Sequence, residues 1–207
     1  MKLYDYAGAP NPRRVKIFAA EKGIELDLVQ TDMGKREHKT DDFIAKNPSG
    51  KIPVLELDDG TCIGESIAIC RYLEAICPEP NLFGSTPIEA AIIEMHHRHV
   101  ELELFSQVGT SWVNGPIVGK LFEGQIVQIP QAKDRSDGLT HEYYQRLDKA
   151  FGKNEYVAGE RFTVADITTV VVIDFASALV DLKPDDSLAH LWGWHETVSA
   201  RPSVKIQ

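Results

Sequence analysis

The chain has 207 residues, 43% hydrophobic and 26% charged, with a formal net charge of −9. This length suits one large domain or two small ones, and the acidic balance disfavours a binder of nucleic-acid phosphate backbones, which wants a basic surface. No stretch approaches the ~18 uninterrupted apolar residues of a membrane span, and "MKLYDYAG" lacks the apolar core of a secretory leader, so no membrane partner and a cytoplasmic location are expected.

From the N-terminus, "KLYDY" (2–6) alternates as a strand. The run from Pro12 to Lys22 places Val15, Phe18 and Ala19 on one helical face and stops at Gly23. "ELDLVQT" (25–31) alternates again, with Leu26 and Leu28 on one side, and the polar stretch 32–47 holds a short helix around Asp41–Ala45. "KIPVLEL" (51–57) and "TCIG" (61–64), joined by "DDG", read as a hairpin. "ESIAICRYLEAIC" (65–77) then puts Ile69, Leu73 and Ile76 on one stripe. The order is βαβ followed by ββα. The turn-rich "PEPNLFGSTP" (78–87) ends the alternation, which divides the chain into an α/β domain over 1–80, a linker over 81–87 and an all-helical domain over 88–207. In the latter, Ile88, Ala91, Ile92 and Met95 begin a long helix reaching about Val108, and Leu139, Tyr143, Leu147 and Phe151 recur every four residues. Thr163 and Asp166 form a capping box with Asp in place of Glu, and Leu188, Leu191 and Trp192 mark a last helix.

Chemistry concentrates at three places. The junction "YAGAPNPRRV" (6–15) passes from a strand into a helix with no thiol or hydroxyl between Ala7 and Val15, which excludes a cysteine nucleophile there. What it offers an anion is the positive helix N-terminus, backbone N–H groups and the Asn11 amide. Arg13 and Arg14 add charge on a turn where they oppose the macrodipole, one of them facing solvent, and Tyr6, the other local donor, reads as a core tyrosine or one that supports the site from behind. Pro53 opens a strand: a cis bond there would turn the backbone of residue 52 outward for a peptide ligand, and an ordinary edge-strand proline is the alternative. Glu65 and Ser66 lie at a helix N-terminus, where carboxylates are attracted and where Ser66 would equally serve as a cap. "MHHRHVELE" (95–103) sets His96, His99 and Glu103 on one face, but nothing completes a metal shell. A polar stripe facing a partner subunit is the better reading, and no metal is expected. Cys62, Cys70 and Cys77 read as reduced packing thiols.

The "GAPNPRRV" junction, "NPSGKIPVLELDDG" (47–60), "GES" (64–66) and "FTVADI" (162–167), in that order, resemble the glutathione transferase family, and the resemblance covers nearly the whole chain. It implies a thioredoxin-like α/β domain followed by an all-α helical bundle, glutathione as a substrate, and a homodimer. Pro53 is then cis, and Ile52 binds the cysteinyl portion of glutathione. Ser66 and Glu65 meet its γ-glutamyl carboxylate and α-ammonium. His38 and Lys51 neutralise its glycyl carboxylate, a surface role being their alternative. Ala9-Pro10-Asn11 stands where relatives carry Ser/Thr-Pro-Asn, which implies Asn11 as the catalytic residue stabilising the glutathione thiolate. Phe105 and Trp112 are candidates to line the pocket for a hydrophobic electrophile, or else core aromatics. The activity implied is conjugation; glutathione-dependent disulfide or peroxide reduction, and glutathione binding without turnover, are the alternatives.

Overall fold

Residues 1–206 are described by a computed structural model. β1 (Lys2–Asp5) runs parallel to β2 (Asp27–Gln30) and antiparallel to β3 (Val54–Glu56), which pairs antiparallel with β4 (Cys62–Gly64). The sheet order is β2-β1-β3-β4. α1 (Pro10–Glu21) and α3 (Ser66–Ile76) pack against each other, while α2 (Asp41–Lys46) follows a 3-10 turn at Glu37–Lys39. Leu3, Val15, Ile17, Phe18, Val54, Leu55, Ile69 and Leu73 are all fully buried and form the core of this unit. Two expected core positions turn out otherwise. Leu28 is 48% exposed because β2 is an edge strand, and Ile76 is 50% exposed in the last turn of α3. Tyr6, just past β1, is exposed rather than in the core.

Several polar contacts fix α1 on the sheet. Lys16, on its inner side, pairs with Asp5 at 2.8 Å, both almost wholly buried. Its C-terminus closes with Ile24 N–H on Ala19 C=O and Gly23 N–H on Ala20 C=O, the two bonds of a Schellman motif. Lys22 then donates to the carbonyls of Pro78 and Pro80 and pairs with Glu74. Glu74 in turn accepts from the N–H groups of Leu82 and Phe83, so these residues, expected in a linker, are buried in the first unit. Residues 201–206 also belong to it: Arg201 grips Glu21 through Nε (2.9 Å) and Nη2 (2.7 Å), and Arg13 Nη2 donates to Val204 C=O at 2.9 Å.

The second unit, Gly84–Ala200, is helical. α4 (Pro87–His99) passes through a π-helical segment (Val100–Phe105) into α5 (Ser106–Val113), so the first long helix continues past the expected Val108. α6 (Pro116–Leu121), α7 (Pro130–Phe151), α8 (Val164–Phe175) with a π-helical end (Ala176–Val180), and α9 (Ala189–Ser199) follow. α8 is buried at every position from Val164 to Ile173, as a helix that is apolar all round must be. Its start carries the expected capping box. On α9 the buried residues are Leu191, Trp194 and Val198, while Trp192 is only half-buried.

Candidate active site

Ala9 is the N-cap of α1 and supplies no side-chain acceptor. Pro10 and Pro12 have no N–H to offer, and the N–H of Ala9 is given to Tyr6 C=O at 3.1 Å. Of the donors normally exposed by a helix start, this leaves the backbone N–H of Asn11, beside the NH₂ of its own side chain. The carboxamide is oriented from the other end. Ser66 Oγ donates to Asn11 Oδ1 at 3.3 Å and accepts from Arg14 Nη1 at 2.9 Å. With Oδ1 engaged, the Asn11 NH₂ is the end left for a ligand. Of the two arginines Arg14 is the buried one, only 1% exposed, and it places a positive charge one turn inside the helix start. Its position four residues before Phe18 put it on the apolar stripe, and that was the one signal the sequence carried. Arg13 is half-buried through its bonds to the C-terminal segment.

Around this point the other predicted residues of the first unit form a continuous rim. Glu65 is the exposed N-cap of α3, with φ 63° and no capping bond from its side chain. Ser66, 5% exposed, bonds Asn11 rather than capping the helix. Gly64 packs on the side chain of Asn47, whose Nδ2 donates to Lys51 C=O at 2.7 Å while Oδ1 accepts from Ser49 N–H and Oγ. Asn47 thus shapes the "NPSGK" turn, a role the sequence did not single out. Gly50 (φ +58°) lies so close to the 3-10 turn that a Cβ would stand 3.1 Å from His38 C=O and 2.7 Å from Lys39 Nζ; a side chain there would push the His38 and Lys51 segments apart. Lys51 is exposed. The Ile52–Pro53 bond is cis, and Ile52 precedes β3, its backbone N–H and C=O unbonded among the described residues. His38 is half-buried, its Nδ1 without a hydrogen-bond partner. Burial, and then Lys39 and Arg36, hold its pKa below the ordinary histidine value, so it is a neutral donor at neutral pH rather than the cation expected.

In the helical unit the two aromatic candidates part. Trp112 lines a cavity of about 320 Å³ together with Ser111, Pro116, Ile117, Lys133 and the Ser177–Asp181 segment, and its ring meets Phe175 edge-on at 5.3 Å. Phe105 ends the π-helical segment, half-buried, and is not a wall of that cavity. Along α4 the rings of His96 and His99 lie 6.2 Å apart, and Glu103 pairs with Arg146. Among the described residues no three metal-ligating side chains converge.

Two family models match the chain. "Glutathione S-transferase, N-terminal domain" matches residues 1–75 and "Glutathione S-transferase, C-terminal domain" matches residues 115–202. The chain is 37% identical to "Glutathione S-transferase 2" of Saccharomyces cerevisiae over 99% of its length and 88% of that protein. It is 30% identical to "Glutathione S-transferase F6" of Arabidopsis thaliana, covering 99% of this chain and 97% of that one. The crystal structure of Gtt2 from S. cerevisiae superposes with a TM-score of 0.91 at 35% identity, covering 99% of both chains. A glutathione S-transferase domain-containing protein of Marinobacter aquaeolei gives 0.90 at 38% identity, over 99% of this chain and 100% of that one. With its thioredoxin-like sheet, its helical second unit and motifs in the family's order, the chain belongs to the glutathione transferase family.

Proposed function

We propose that this glutathione transferase ionises the thiol of bound glutathione at the start of α1 and joins the sulfur to a hydrophobic electrophile held by its helical unit, as a cytoplasmic, homodimeric enzyme that detoxifies such compounds. The observation that carries the reading is that Ser66 occupies the Asn11 carboxamide oxygen, which leaves that residue's side-chain NH₂ and backbone N–H as the donors of the helix start. A thiolate placed there receives both donors and the field of the buried Arg14 guanidinium. Its lone pair forms the S–C bond, the leaving group departs with its electrons, and the thiol proton passes to solvent on ionisation.

The rest of glutathione follows from the rim. The free backbone of Ile52, set by cis Pro53, pairs with the cysteinyl unit like an added strand. Glu65 meets the α-ammonium, and the N-terminus of α3 beside Ser66 meets the γ-glutamyl carboxylate. Lys51 and the neutral His38 donate to the glycyl carboxylate. Trp112 supports an electrophile in the helical unit. Ile88, Ile92, Met95 and Leu102, spaced at helical intervals and all exposed, give the partner subunit an apolar face.

The test is Asn11→Ala. Loss of a hydrogen bond to charged sulfur costs about 1.5–3 kcal/mol, so the thiol pKa of bound glutathione, followed by thiolate ultraviolet absorbance, rises by about one to two units. The rising limb of kcat/KM against pH for an aryl halide moves upward by the same amount, while glutathione affinity changes little. An unchanged thiol pKa removes Asn11 from the mechanism. Assaying reduction of a glutathionylated disulfide beside conjugation tells the two chemistries apart.

A further inference from the structure

From Leu121 to Pro130 every residue is exposed except Gln128. The segment is strongly apolar for such a place: Leu121 is 64% exposed, Phe122 43%, Val127 91% and Ile129 55%. Its side-chain and tertiary bonds to the rest of the unit are made near its C-terminal end. Gln128 Nε2 donates to Val113 C=O at 3.0 Å and to Gly115 C=O at 2.7 Å, the carbonyls that end α5 and introduce α6. Beside it, Ile129 N–H donates to Asn114 Oδ1 at 2.7 Å. The Gln128 amide lies flat against Gly119 in α6, where a Cβ would stand 2.4 Å from Gln128 Oε1. Any larger residue at 119 displaces the amide from its two acceptors.

These bonds have a consequence for the cavity beside Trp112, because Gly115, Pro116 and Ile117 at the start of α6 form one of its walls. The wall is a short helix of six residues, and the exposed apolar segment continues from its C-terminal end. We propose that Gln128 is a latch that holds α6 in place as the movable wall of the electrophile cavity, and thereby sets the size of electrophile the enzyme accepts. Latched, the cavity takes a small electrophile. With the amide released, α6 swings outward, and Leu121, Phe122 and Val127 gain a larger apolar ligand to cover in place of water. The proposal rests on the reading of the Trp112 cavity as the electrophile site.

Allyl, benzyl and naphthyl isothiocyanate test it, since they react at the same carbon and grow in apolar bulk, and comparing each variant with the parent cancels their intrinsic reactivities. Thiolate addition to that carbon, with a proton taken up at nitrogen, leaves no leaving group to confuse the series. In Gln128→Ala the ratio of naphthyl to allyl KM falls about fivefold, the worth of a pair of lost neutral hydrogen bonds. The glutathione KM is unchanged, and amide hydrogen exchange over residues 116–127 quickens. Gly119→Ala, which keeps the glutamine but fills its seat, shifts the ratio the same way. A KM ratio unaltered in both variants overturns the latch. Trp112→Ala separates the two levels of the argument: if it leaves all three electrophile KM values untouched, the cavity is not the electrophile site and the latch falls with it. If it raises them while Gln128→Ala and Gly119→Ala do nothing, the cavity reading stands and the latch alone is wrong.

Discussion

Glu65 holds a left-handed backbone, φ 63°, a conformation that costs a non-glycine residue about 1–3 kcal/mol. Its side chain makes no capping bond that would offset the cost, so the strain is retained for something other than stability. Replacing it with glycine separates the two demands. Glu65→Gly is expected to raise stability in urea unfolding by up to about 1 kcal/mol, while the KM for glutathione rises about tenfold because the α-ammonium loses its carboxylate. A glutathione KM that does not move would show that the strained carboxylate serves the fold alone. At this scale the sequence was most informative where a function rests on neighbours in the chain. Asn11, Glu65 and Ser66 could be named as candidates because all three lie at helix N-termini. The hydrogen bond from Ser66 to Asn11 could not, because the two residues lie 55 positions apart.

Among the elements, α8 depends most on a single side chain. Asp166 Oδ1 accepts from Val157 N–H (2.9 Å) and Trp194 Nε1 (3.1 Å), and Oδ2 accepts from Thr163 N–H (2.9 Å) and Thr163 Oγ1 (3.1 Å). The carboxylate therefore caps its own helix and also ties it to α9 and to the loop before it. Asp166→Asn preserves shape but turns an NH₂ toward groups that also donate. We expect a loss of about 2–4 kcal/mol in denaturant unfolding, with glutathione KM preserved if the two units unfold separately. A loss under about 0.5 kcal/mol, the range of an ordinary surface substitution, would deny the residue that role. The capping pattern was legible because a cap is local in sequence. The π-helical segments of α4 and α8 were not, since such bulges answer to what packs around a helix.

For the whole molecule, the exposed row of Ile88, Ile92, Met95 and Leu102 argues for a second copy of the chain. Leu102→Glu is expected to convert a dimer into a monomer in sedimentation at micromolar concentration, because a carboxylate buried without a partner is costly; a dimer that survives the change would place the interface elsewhere. By itself the sequence determined the order of strands and helices and the capping box, and it marked the helix-start and turn residues on which the proposed site is built. Each of these is written in spacing that a few adjacent residues carry: apolar periodicity, turn formers, residues at a helix start. The tertiary structure alone decided that Arg14 is buried behind Ser66, that residues 201–206 strap α1, that burial lowers the pKa of His38, and that Gln128 bonds the carbonyl introducing α6. These depend on which distant segments meet and on how much water reaches them. A buried guanidinium and a solvated one are spelled alike, and only packing tells them apart.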